Sequence, residues 1–273
     1  MTDFKNYKFR ASQVGKLMVG LSKGLTEKQT ELFGSLKEKM KIGKITDKQI
    51  VTYGQLLEKK NQKPKLSVGA KSFLEEIHKE VLFGKSKEIV SKYLDKGLQV
   101  EEKAITLYSD VTNNLFVKNV KHFKNEYLTG TPDMVTNQIL DIKSSWDFST
   151  FPMNETEIPT KIYYWQLLAY MDLTGLKNAE LIYCLVDTPN LLIEDEKRRT
   201  SWKLGFQELP EELEKEIENN LTYSSIPKEL RIKIFKTEYS DKDVKTMKIQ
   251  IDLARDYLTE LSLKIADRLE LVA

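Results

Sequence analysis

Apolar positions recur at helical spacing over much of this chain, and the period changes at a few sharp points. Three- and four-residue recurrences predict helices over 12–20, 26–39, 47–60 and 70–82, then a longer one over 87–111. Shorter runs rich in β-branched and aromatic residues predict strands near 115–117, 121–128, 132–135 and 139–143. A helix over 161–174 leads into Ala179-Glu180-Leu181-Ile182-Tyr183-Cys184-Leu185-Val186, which reads as a buried strand. Residues 187–227 are mostly polar and broken by Pro189, Pro210 and Pro227, the pattern of a mobile flap or an oligomer contact. A strand over 231–237 and a closing helix over 241–269 complete the order, the helix carrying Val244, Met247, Ile251, Ala254, Leu258 and Leu261 on one stripe. The order predicts an α/β fold, with a central mixed β-sheet flanked by helices and an N-terminal helical elaboration. The 273 residues suffice for one elaborated domain or two small ones, and are read as one. Its parts are a helical region to 90, a core over 91–187, a variable flap over 188–228 and a closing strand and helix from 229.

The chemistry concentrates in one stretch, Gly130-Thr131-Pro132-Asp133-Met134-Val135-Thr136-Asn137-Gln138-Ile139-Leu140-Asp141-Ile142-Lys143-Ser144. In the strand over 139–143 the charges alternate with apolar residues, so Asp141 and Lys143 share a face, with Leu140 and Ile142 opposite. Residues 131–135 pair as the other arm of a hairpin through Thr136-Asn137-Gln138, which brings Asp133 to Asp141 and Lys143. Two adjacent carboxylates repel each other unless a cation lies between them, and such oxygen ligands suit Mg²⁺ or Mn²⁺. An ammonium beside them can orient an attacking water or neutralise charge growing on a phosphoryl group. A bare Asp-x-Lys is more often a solvated surface pair, so the motif gains weight from what surrounds it.

Pro132-Asp133 followed by Asp141-Ile142-Lys143 resembles the signature of the PD-(D/E)xK nuclease superfamily. Three further segments resemble its phage recombination exonucleases, the YqaJ or lambda-exonuclease-like family. Gly97-Leu98-Gln99-Val100-Glu101-Glu102-Lys103-Ala104 is similar to that family's acidic helix, with Glu101 at the matching place. Tyr164-Trp165-Gln166-Leu167-Leu168-Ala169-Tyr170 is similar to the Gln-x-x-x-Tyr motif of RecB-like nucleases, with Gln166 and Tyr170 on one helix face. Phe9-Arg10-Ala11-Ser12 opens an N-terminal helix as in the family. The resemblance spans residues 7–20 and 93–187, and residues 21–89 match nothing in it.

The resemblance implies a restriction-endonuclease-like core and a metal-dependent exonuclease acting on linear double-stranded DNA ends. It implies 5′ to 3′ digestion that leaves 3′ single strands for a single-strand annealing protein, and a ring-shaped homotrimer. Asp133, Asp141, the Ile142 carbonyl and Glu101 would hold Mg²⁺, with Lys143 assisting water and Gln166 orienting the reacting groups. Ser12, capping its helix, and Arg10 would bind a terminal phosphate, and Tyr170 would reach a phosphate. The family commonly has Glu where this chain has Asp141, so metal spacing differs. RecB-like structure-specific endonucleases and helicase-associated subunits share such a site, and RNA stays open as a substrate. This chain has no Walker-type loop, so a motor would be a separate subunit. A catalytically silent DNA-binding protein is the non-enzymatic alternative, although clustered carboxylates repel phosphate.

The 43 basic and 41 acidic residues leave a net charge of +2, so nucleic-acid affinity has to come from local patches. Lysines between Lys37 and Lys65 make one such basic stretch, more consistent with a solvated surface. Cys184, the lone cysteine, excludes intramolecular disulfides and a four-cysteine iron-sulfur cluster. His78 and His122, the two histidines, argue against zinc and read as surface residues. No segment reads as a signal peptide or a membrane span, which predicts a cytoplasmic protein with no membrane partner.

Overall fold

The computed structural model describes residues 3–21, 24–87 and 91–270. Strand β1 (Phe9–Arg10) runs into α1 (Ala11–Val14), a single turn followed by further turns to Gly20. The expected helix over 12–20 is thus cut short. At Gly15 the chain presses on the segment that begins a later helix, and a Cβ there would lie 2.6 Å from the Ile162 carbonyl oxygen. Helices α2 (Glu27–Lys41) and α3 (Asp47–Asn61) form a hairpin around Phe33, Leu36 and Leu56, with Phe33 stacked on Tyr53. Thr26 and Gln29 exchange hydrogen bonds at the start of α2, satisfying two backbone N–H groups that the helix leaves open.

Helix α4 (Val68–Phe83) is capped by Ser67, whose hydroxyl also donates to the Val19 carbonyl at 2.6 Å. It carries His78, which is buried and 3.0 Å from Ser262, so the surface assignment of this histidine is corrected. Helix α5 (Lys92–Thr112) begins later than 87, and residues 88–90 of the expected helix lie outside the described residues. Residues 115–117 form no strand. Leu115 and Val117 are exposed, and Phe116 spends its apolar surface stacking on Tyr108 at 4.8 Å.

The expected strand over 121–128 is broken by a turn into β2 (Phe123–Lys124) and β3 (Leu128–Gly130). Asn125 builds that turn, its side-chain oxygen accepting from Tyr127 N and Leu128 N at 2.9 and 2.8 Å. The sheet is correspondingly divided in two. One sheet has the order β1-β3-β2. The other joins β4 (Met134–Val135), β5 (Ile139–Ser144), β6 (Asn178–Cys184) and β7 (Ile232–Glu238) in that order, with β5 and β6 parallel and the other pairs antiparallel. Helix α6 (Lys161–Thr174) makes the crossover between β5 and β6.

Strand β5 is covered on both faces. Ile139 joins Leu181 and Phe235 against Leu167 and Leu168 of α6, while Leu140 and Ile142 join Ile182 and Cys184 against Val100 and Ala104 of α5. Residues 187–227, expected as a mobile flap or an oligomer contact, carry regular structure. They fold into α7 (Asn190–Leu204) and α8 (Glu211–Leu221), and Pro189 and Pro210 stand at the positions that start these helices. Leu192, Ile193 and Leu221 pack with Trp146, and Lys197 ties the two helices through Glu194 and Glu218 at 2.8 and 2.6 Å. Helix α9 (Asp241–Glu270) closes the fold, burying Val244, Met247, Ile251, Ala254 and Leu258 in the main core.

Candidate active site

The hairpin forms about the expected connection, with Met134 opposite Leu140 and Val135 opposite Ile139, but its first arm is only these two residues and 131–133 do not pair. Its arms place Asp133 against β5, where Oδ2 accepts the Ile142 backbone N–H at 2.8 Å. Asp141 is fully buried, which is unusual for a carboxylate and requires partners. Gln166 of α6 supplies one, donating Nε2 to Asp141 Oδ1 at 2.7 Å. Lys143 supplies the other by ion pairing with Asp141 Oδ2, an oxygen with no well-aligned hydrogen bond. The same ammonium lies 3.5 Å from the Ile142 carbonyl and 5.1 Å from the centre of the Tyr163 ring.

Burial pushes the Asp133 carboxyl up to about 7, with repulsion from Asp141 adding to the shift and Lys143 opposing it. Burial disfavours the Lys143 ammonium, but Asp141 and then Asp133 outweigh it and hold this group above the ordinary lysine range. In the metal-free fold the two carboxylates therefore hold Lys143 as a cation.

Tyr170 lies on the Gln166 face but is 4% exposed. Its ring packs so closely over Gly130 that a Cβ there would lie 2.9 Å from it, and its hydroxyl is turned to Gln166. Tyr170 thus stands behind Gln166 in this fold. Glu101 comes from α5, on the other side of the sheet, and its carboxylate is bound by Lys118 at 2.5 Å. Its charge reaches Asp133, but among the described residues no three His, Cys, Asp or Glu side chains gather tightly enough to hold a metal ion.

Arg10 and Ser12 are both exposed, but Ser12 sits inside α1 and does not cap it. The residue at the capping position is Arg10, without a side-chain cap bond, and a one-turn helix offers little dipole. Sequence reasoning passed over Asn119, which ties the approach to the hairpin in place: its backbone N–H donates to the Asp133 carbonyl at 2.7 Å and its amide to Pro132 O at 3.0 Å. It also passed over Lys118. Both lie in a loop with no periodicity, so only the fold brings them to the carboxylates.

The donors fit a hard divalent cation. Asp133, Asp141 and the Ile142 carbonyl offer oxygens only, and the Lys143 ammonium already sits against two of them as a cation would. Two protein carboxylates leave the remaining positions to water and phosphate oxygens, which is the way Mg²⁺ is usually held. A cavity of about 1210 Å³ lined by Trp165, Ile158 and Lys236 lies elsewhere, and none of these carboxylates borders it. Chemistry and not cavity size marks the site.

No family model and no curated protein matches the chain in sequence. Solved structures do match its fold. A phage-related exonuclease from Haemophilus somnus 129PT is similar at a TM-score of 0.67 and 23% identity, over 95% of this chain and 97% of that one. LHK-Exo in complex with dAMP is similar at a TM-score of 0.58 and 12% identity, over 97% and 95% of the two chains. LHK-Exo is also described as an alkaline exonuclease from Laribacter hongkongensis, in a structure that matches at a TM-score of 0.54 and 12% identity, over 76% and 88%. The chain thus has the fold of these exonucleases, in line with the architecture and the resemblance that its motifs carry.

Proposed function

We propose that this protein is a metal-dependent exonuclease that hydrolyses phosphodiester bonds of linear double-stranded DNA. The observation that carries this reading is the convergence of Asp133, Asp141, Lys143 and Gln166, from a hairpin and a crossover helix, on one group of oxygens. The shared fold with exonucleases supports it. Asp133, Asp141 and the Ile142 carbonyl would hold Mg²⁺ or Mn²⁺, with Glu101 joining them if Lys118 releases it. Mg²⁺ held there supplies Lewis-acid activation of the phosphodiester and of the attacking water. Gln166 fixes Asp141, Tyr170 backs Gln166, and the Lys143 ammonium neutralises charge that grows on the phosphoryl oxygens.

The finer parts of the proposal follow the resemblance: digestion from a 5′ end, a 3′ single strand passed to an annealing protein, and a ring-shaped trimer. Arg10, exposed on β1, is the candidate for a terminal phosphate, with Ser12 beside it. Digestion of end-labelled linear duplex beside closed circles, with and without Mg²⁺, tests the core of the reading. Metal-dependent loss of linear DNA alone supports an exonuclease, cleavage of circles makes the protein an endonuclease, and no cleavage with Mg²⁺ or Mn²⁺ overturns the nuclease reading. Arg10→Ala on substrates with 5′ phosphate or 5′ hydroxyl tests the end pocket, and equal rates with wild type on both remove it.

A further inference from the structure

The small sheet carries a polar row that leads to the carboxylates. Arg10 pairs with Thr129 across β1 and β3, and Thr129 pairs with Lys124 across β3 and β2. Directly opposed residues share a sheet face, so Arg10, Thr129 and Lys124 project together. Phe9 and Leu128, one position earlier, are buried on the other face. Arg10 and Lys124 are exposed, and among the described residues neither is ion-paired.

His122 continues the row. Its Nε2 lies 2.5 Å from Thr129 Oγ1 and its Nδ1 lies 3.0 Å from Thr131 Oγ1. A neutral imidazole donates through one nitrogen and accepts through the other. Thr129 Oγ1 also has the Phe123 carbonyl as an acceptor at 3.5 Å, so with His122 donating through Nδ1 the Thr131 hydroxyl is the one left free to donate. Thr131 is exposed, Pro132 is buried, and Asp133 follows at the same alternation. The connection between β3 and β4 is tied at this point by the two Asn119 bonds to Pro132 and Asp133. Cations without ion partners, an oriented hydroxyl and a tied backbone just ahead of Asp133 form a track for backbone phosphates.

We propose that Lys124, with the Thr131 hydroxyl aligned by His122, grips the phosphodiester backbone of the strand that leads into Asp133. The proposal rests on the nuclease reading for the identity of its ligand. Lys124 is the contact residue and His122 a positioning residue.

The test measures binding of a fluorescein-labelled short duplex in EDTA across a salt series, together with digestion kinetics in Mg²⁺. Lys124→Ala should weaken binding three- to tenfold and lower the salt slope by about 1, since one phosphate contact is lost. His122→Ala should weaken binding to a similar extent with the salt slope unchanged, and His122→Asn, which restores a donor and an acceptor, should recover part of it. Both alanine variants should raise KM and leave kcat near wild type, with unchanged thermal midpoints. Thr131→Val provides an independent check with little change in volume, and should weaken binding. Wild-type affinity and salt slope in Lys124→Ala, His122→Ala and Thr131→Val would overturn the track. Binding without cleavage by wild type, weakened by the variants, would sink the nuclease reading and leave the track standing. Absence of both binding and cleavage in wild type would overturn both.

Discussion

Gln166 donates its side-chain amide to Asp141 Oδ1 at 2.7 Å, which leaves Oδ2 of the same buried carboxylate to the Lys143 ammonium. The two oxygens thus have separate tasks, and the helix that follows the hairpin sets the orientation of its central acid. Gln166→Ala removes a buried donor from a charged acceptor, so stability should fall by about 1–3 kcal/mol. Activity should fall on the order of tenfold or more in kcat, with a smaller change in KM. Gln166→Glu places a like charge against Asp141 and should do worse than alanine. Steady-state digestion of a linear duplex and chemical denaturation decide this, and equal kcat in all three proteins would remove Gln166 from the site.

In the metal-free fold Asp141 and Asp133 outweigh burial and hold the Lys143 ammonium above the ordinary lysine range, which favours the electrostatic role proposed for it over that of a base. Lys143→Met should lower kcat by about 10²–10³ without shifting the alkaline limb of the pH profile. A general base at this position would instead lose a titration step on substitution. A shifted limb in the variant would overturn the electrostatic role.

Asp133 gives a pH prediction with a definite sign. Its carboxyl is raised to about 7 in the fold, first by burial and then by Asp141, against roughly 3.9 in the unfolded chain. Between those values the folded protein holds more protons, so this contribution to stability is complete below pH 4 and lost as pH rises through 7. Asp133→Asn should therefore stabilise the metal-free protein at pH 8, by on the order of a few kcal/mol, and not at pH 4. At pH 6.5 Mn²⁺ binding should release protons, detectable by titration calorimetry in two buffers of different ionisation enthalpy. Binding heats that do not depend on buffer would refute the raised carboxyl.

The fold was legible where one face of an element decides its period. The helix over 161–174 and the hairpin connection came out as expected, because Leu167, Leu168 and Ile139 are apolar on the side they bury. The Asp141 strand was half legible: alternation separated Asp141 from Leu140, but the cover that α6 places over Asp141 is a tertiary fact. Prolines misled at 187–227, since Pro189 and Pro210 mark helix starts as readily as loops. His78 misled as well, because its partner Ser262 is 184 positions away and leaves no local trace. Lys118 and Asn119 stayed hidden for the same reason.

Lys96 is fully buried on α5, with its ammonium donating to the Trp146 carbonyl at 2.8 Å. Burial lowers it to about 8, with Asp147 and Asp187 pulling the other way. The unfolded chain holds this proton up to about 10.4, so between pH 8 and 10 it carries more protons than the folded one and stability should rise with pH. The rise attributable to Lys96 should be on the order of 2–3 kcal/mol, and Lys96→Met should flatten it. Denaturation at pH 7.5 and 10 measures both slopes, and parallel curves for the two proteins would contradict the lowered value.

Glu101 and Lys118 pose the question of whether the acidic helix reaches the metal. In the fold the carboxylate is held by Lys118 at 2.5 Å, yet its charge still raises the Asp133 carboxyl. A divalent ion between the two acids would compete with the ammonium for the same oxygens. Lys118→Ala removes the competitor, so Mn²⁺ should bind several-fold tighter to this variant than to wild type. Glu101→Gln removes the ligand and should weaken binding and lower kcat together. If Glu101 serves only to anchor Lys118, the two substitutions should instead have the same small effect on stability and none on Mn²⁺ affinity. Calorimetry of both single variants and of the double variant separates these cases. A ligand role requires the gain from Lys118→Ala to vanish once Glu101 is gone, because the lysine can only compete for a carboxylate that is present.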